Sequence, residues 1–68
     1  MKFNERLKEL RIMKCVSQQE VASFLGLTQK AYCFYELGTR EPSLNTLSKL
    51  CDYFDVTSDY LLGRSDNY

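Results

Sequence analysis

Apolar residues recur along the chain at spacings of three and four, broken every dozen residues or so by glycine, proline or a hydroxyl side chain, and this predicts short amphipathic helices. Ser17 followed by Glu20 is a capping box, so one helix begins at Gln18 with Val21, Ala22 and Leu25 as its apolar stripe. Gly26 stops it. Thr28 offers a hydroxyl to the next helix, on which Tyr32, Tyr35 and Glu36 share a face. Upstream, Asn4 is expected to cap a first helix carrying Leu7, Leu10 and Arg11, with Phe3 over its open end. Downstream, Gly38 and Pro42 mark a loop, and Ser43 caps a fourth helix that places Leu44, Leu47, Leu50, Cys51 and Phe54 on one face. Asp55 ends that helix. A short fifth one follows, capped by Thr57 and stopped by Gly63. The expectation is an all-α domain of five short helices over residues 1–63, with 64–68 as a polar tail that frays.

Only Gly26 and Leu27 separate the second and third helices, so the two must cross steeply and touch near the joint. Ala22 permits the close approach, Gly26 supplies a positive backbone angle, and Leu27 is expected as a buried plug. The stretch from Ser17 to Glu36 resembles the helix-turn-helix of the phage repressor and Cro-like family, also called XRE-type. The Glu-x-Gly-x-Arg-x-Pro-Ser run of residues 36–43 resembles the loop of the same family, and the likeness extends over nearly the whole chain. It implies a lambda-repressor-like DNA-binding domain with Thr28 to Glu36 as the recognition helix.

Arg11 and Glu36 each sit within an apolar stripe, where unpaired charges are rare. The resemblance implies that they pair; otherwise they are two unrelated surface charges. A recognition helix in the major groove presents Gln29 and Lys30, and one turn later Cys33 and Phe34. Gln29 suits a bidentate contact with adenine, and Lys30 suits guanine or a phosphate; the bland alternative for each is a solvated helix face. Gln18 and Thr28, at helix starts, are expected on phosphates, as is Arg40 by resemblance. Three positions depart from the family. Cys15 stands where glycine is usual, Phe34 where a polar base-reading residue is frequent, and Tyr32 where a branched aliphatic core residue is usual, so that its hydroxyl needs water or a partner.

Composition narrows the chemistry. Sixty-eight residues make one domain, and a chain this short buries only about 60% of its unfolded surface. It contains no histidine, no phosphate-binding loop and no C-x-x-C spacing among Cys15, Cys33 and Cys51, which argues against enzyme function, a metal site or a cofactor. Cys51 reads as core, and Cys33 as a redox switch finds little thiol-activating charge beyond Lys30. No apolar run reaches membrane-spanning length and the amino terminus enters a charged helix, so a cytoplasmic protein is expected. Net charge is zero, with nine basic and nine acidic residues, against the basic excess usual in DNA-binding domains. A basic amino-terminal segment and an acidic carboxy-terminal one preserve some asymmetry. The expected function is sequence-specific binding of double-stranded DNA as a small repressor-like transcriptional regulator. It would act as a homodimer on a palindromic operator, with dimer contacts in the fourth-to-fifth helix region around Tyr53, Tyr60 and Leu62, residues that read equally as core or bare surface, and no small-molecule ligand. The competing reading is a protein-interaction module on the same scaffold, prompted by charge neutrality and by Phe24 and Phe34.

Overall fold

Hydroxyl side chains start four of the five helices. Ser17, Thr28, Ser43 and Thr57 each accept from the backbone amide three residues on, at 3.1–3.2 Å, and so supply acceptors for the exposed first turns of α2 (Gln18–Leu25), α3 (Gln29–Leu37), α4 (Leu44–Phe54) and α5 (Ser58–Leu61). In α2 the Glu20 carboxylate also accepts from the Ser17 amide at 3.1 Å, completing the capping box. The first helix, α1 (Phe3–Met13), starts earlier than Asn4 would have it. Glu5 reaches back to accept from the Lys2 amide at 2.9 Å, which captures the start and leaves Asn4 inside the first turn. Phe3, the first helical residue, is half-buried against the core. The computed structural model describes all 68 residues, Met1 to Tyr68.

The helix ends are set by left-handed residues. Gly26 at φ +73° and Gly38 at φ +80° allow the chain to leave α2 and α3 at a sharp angle. At Gly26 the angle alone requires glycine, because an added Cβ would meet open space. At Gly38 space matters too: a Cβ there would lie 3.1 Å from Cγ of Asn4, so Asn4 serves as a packing partner for the end of α3. Cys15 at φ 56° and Asp55 at φ 55° adopt the same conformation with a side chain attached.

α3 is wedged between α1 and α2, while α4 meets α2 and α5, and α5 returns to α1. Leu7, Leu10, Val21, Ala22, Leu25, Tyr32, Tyr35, Leu50, Phe54, Tyr60 and Leu61 form the core. Leu27 and Cys51 pack against it half-buried, and burial pushes the Cys51 thiol pKa up. Leu44 is not on the inner face; at 86% exposure it stands outside in the first turn of α4, and the buried contacts of that helix come from Leu50 and Phe54.

The last residues fold back. The Tyr68 ring lies 4.6 Å from that of Tyr60, and the Arg6 guanidinium sits 4.0 Å from the Tyr60 ring centroid. Arg6 also donates to the carbonyls of Tyr60 (3.3 Å) and Ser65 (3.4 Å) and lies 3.6 Å from the Asp66 carboxylate. Tyr60 is therefore only 6% exposed, a core residue enclosed by Arg6 and the tail, and its ring is not a free contact surface.

Because a side chain in the left-handed region costs about 1–2 kcal/mol, Cys15→Gly should stabilise the fold by about 0.5–1 kcal/mol after the extra chain entropy of glycine is subtracted. The check is a urea melt, in which the midpoint should rise with an unchanged slope.

Candidate nucleic-acid interface

The two halves of α3 have different tasks. Its carboxy-terminal half is buried through Tyr32, Tyr35 and Glu36, while Gln29 and Lys30 in the first turn are exposed. Glu36 is the anchor. Its Oε2 accepts from Arg11 Nε at 2.6 Å and from the Tyr32 hydroxyl at 2.6 Å. Its Oε1 accepts from Arg11 Nη2 at 3.2 Å and from Gln18 Nε2 at 3.1 Å. Arg11 further donates through Nη1 to the Val16 carbonyl at 3.1 Å, tying the turn after α1 into the same cluster. The expected ion pair therefore forms, and the Tyr32 hydroxyl finds its partner one helical turn away.

Electrostatics follow from this geometry. Burial alone would raise the Glu36 carboxyl pKa, but hydrogen bonds from Arg11, Tyr32 and Gln18, with the Arg11 charge, outweigh it and hold the group below its ordinary range. The hydrogen bond to Glu36 raises Arg11 in turn, against the opposing effect of burial. Burial, reinforced by the bond to Glu36, raises the Tyr32 phenol and keeps it a donor.

Around this anchor the sequence-derived candidates divide. Gln29 and Lys30 project from the start of α3, beside the Thr28 hydroxyl that caps it. Gln18, expected on a phosphate, has its side chain engaged instead: it donates to Glu36 and accepts from Gln29 Nε2 at 3.4 Å. Gln18 stands at the start of α2, where the first-turn backbone amides have no carbonyl partners within the helix. Cys33 and Phe34 are half-buried one turn along α3. Phe34 has a cation for a neighbour, since the Arg40 guanidinium lies 5.5 Å from its ring centroid. Arg40 is itself exposed, so both residues border the same surface. Phe24, 49% exposed on α2, stacks on Tyr53 of α4 at 4.8 Å.

None of the surface hollows is lined by Gln18, Thr28, Gln29, Lys30 or Arg40. No group of three or more cysteine and acidic side chains is placed to hold a metal, and no helix is long and apolar enough to cross a membrane. Arg6 escaped the sequence reading because its burial depends on Tyr60 and the tail, more than fifty residues away; its spacing of four before Leu10 was the only local signal.

A carboxyl whose pKa is lower in the folded than in the unfolded state contributes stability above its ordinary value and loses it as pH falls through the folded one. Glu36 should therefore help hold the fold down to the ordinary carboxylate range near 4.5, and acidification below that should weaken it. Urea melts across pH should show this acid sensitivity reduced in Glu36→Gln. At neutral pH Arg11→Met, which strands the buried carboxylate, should lose about 3–5 kcal/mol.

A Helix-turn-helix family model matches residues 7–61. The chain is 50% identical over 60 residues to the SPbeta prophage-derived uncharacterized HTH-type transcriptional regulator YonR of Bacillus subtilis, covering 88% of this chain and 56% of that protein. It is 33% identical over 64 residues to the cryptic phage CTXphi transcriptional repressor RstR of Vibrio cholerae, covering 94% and 58%. The chain thus spans about half the length of the curated relatives it matches. Its fold is shared with the P22 c2 repressor protein, solved in complex with a synthetic operator, at a TM-score of 0.88 and 23% identity over 96% of this chain and 98% of that one. With the match running from the first core leucine of α1 to the last residue of α5, the chain belongs to the Helix-turn-helix family.

Proposed function

We propose that this chain binds double-stranded DNA sequence-specifically as a small, repressor-like transcriptional regulator, with α3 entering the major groove. The supporting observation is the division of α3: a locked carboxy-terminal half and a projecting first turn bearing Gln29 and Lys30. An amide with one donor and one acceptor to spare matches the adenine edge, and a lysine beside it matches guanine or a phosphate. The Thr28 hydroxyl, the first amides of α2 and Arg40 would take phosphates, and Cys33 and the Phe34 edge would face the groove wall. YonR and RstR are named as transcriptional regulators, and the P22 c2 repressor is seen on operator DNA, which supports the same reading.

A single domain of zero net charge makes few phosphate contacts, so the active species is proposed to be a homodimer on a palindromic site. With Tyr60 enclosed, the available apolar surface at the α4–α5 end is Leu44 and Leu62. The competing role as a protein-interaction module draws its support from the exposed Phe24 ring, stacked on a half-buried Tyr53. Phe34 supports it less, because its ring already lies near Arg40.

Binding to duplexes enriched by random-oligonucleotide selection discriminates the two. Gln29→Ala should weaken binding by about 1–3 kcal/mol at one base position per half-site, whereas Arg40→Ala should weaken all sequences alike and lower the salt slope by about one. Equal losses on every duplex for Gln29→Ala would contradict its role. Absence of any enriched sequence, with a protein complex lost on Phe24→Ser, would favour the interaction module.

A further inference from the structure

Gln29 does not present its amide alone; a chain of hydrogen bonds runs from it into the core. We propose that Tyr32 is a positioning residue for base reading, acting through Glu36 and Gln18 to fix the orientation of the Gln29 amide. The proposal rests on the reading of Gln29 as a base contact.

The direction of the chain follows from what each group can do. An ionised carboxylate only accepts, at about four lone-pair sites. Here all of them are taken: Oε2 by Arg11 Nε and the Tyr32 hydroxyl, Oε1 by Arg11 Nη2 and Gln18 Nε2. Gln18 must therefore turn its amide nitrogen inward, toward Glu36. Its oxygen is then left pointing at Gln29, whose Nε2 donates to it at 3.4 Å. Gln29 retains one N–H and its carbonyl oxygen for the outside, in an order fixed by the buried charge. That order matches an adenine edge, which offers N7 as acceptor and N6 as donor.

Tyr32 matters because the site is closed to substitutes. The residue has no exposed surface, Glu36 has almost none, and the hydroxyl sits at 2.6 Å, the short distance of a bond to a charged acceptor. Removal of the oxygen alone leaves Oε2 one donor short. The carboxylate can recover it only by turning against Arg11 and Gln18, and Gln18 is the link to Gln29. An aliphatic residue would fill the core at this position but would not set the carboxylate.

The test is a double-mutant cycle on base discrimination, read as the ratio of affinities for the selected duplex and for the same duplex altered at the base pair assigned to Gln29. Tyr32→Phe should lower this ratio by about five-fold, as for coupled residues of one network, and should change it no further in the Gln29→Ala background. Gln18→Leu, at a half-exposed site with no core packing to lose, should give the same loss. In the free protein, the Glu36 carboxyl carbon followed by NMR should titrate at higher pH in Tyr32→Phe than in the parent. An unchanged ratio in Tyr32→Phe or Gln18→Leu, with the ratio abolished by Gln29→Ala, would overturn the positioning role and leave base reading intact. Equal weakening on both duplexes, or an unaltered Glu36 titration, would likewise overturn it. If Gln29→Ala itself leaves the ratio unchanged, it is base reading by Gln29 that fails.

Discussion

A carboxylate removed from water must find its donors inside the protein, and at Glu36 those donors come from three helices. Arg11 belongs to α1, Gln18 to α2, and Tyr32 to α3 itself. Leaving such a charge short of partners costs several kcal/mol, whereas many packings of the same apolar residues differ by far less. The charge thus selects among arrangements that hydrophobic burial alone would tolerate. Its geometry fixes the tilt of α3 relative to α1 and α2, and Arg11, through the Val16 carbonyl, fixes the turn that leads into α2.

This concentration of constraint at one end of α3 explains the freedom of the other. Gln29 and Lys30 are exposed and carry no packing duty, and the left-handed Gly26 turns the chain from α2 towards their helix. The domain is small, and its remaining closure is local: hydroxyl caps start the helices, left-handed residues end them, and Arg6 clamps α5 and the tail to α1. The Arg6 clamp lies on Tyr60, Ser65 and Asp66, apart from the residues proposed to meet DNA. The two charged clusters thus differ in reach: Arg6 serves the fold alone, whereas Arg11 with Glu36 serves both stability and the placement of α3.

Most of this was legible in the sequence where the physics is local. Capping hydroxyls, the two-residue corner and the two charges within apolar stripes all act over a few residues or through a spacing of three and four, and each appears as expected. The Tyr32 hydroxyl was legible as a need for a partner, and Glu36, four residues on, was within reach. What periodicity could not give was contact between distant segments. Asn4 looked like a cap because it precedes the apolar stripe, but Glu5 reaching back to Lys2 moved the start, and Asn4 packs on Gly38 instead. Tyr60 read equally as core or surface, because its cover, Arg6 and Tyr68, comes from the two ends of the chain. Leu44 looked internal because helical spacing alone does not say where along α4 the neighbouring helices stop. Gln18 was expected on a phosphate, but its amide donates to the Glu36 carboxylate, a partner that only the fold reveals.

Amide chemical shifts of the protein titrated with its selected duplex bear most directly on the proposed placement of α3. Shifts concentrated on the first residues of α2, on Thr28 through Phe34 and on Arg40, with the Arg11 and Glu36 side-chain signals still marking an intact pair, are the predicted result. Shifts confined to Phe24, Tyr53 or the α4–α5 end, with the first turn of α3 unmoved, would contradict it.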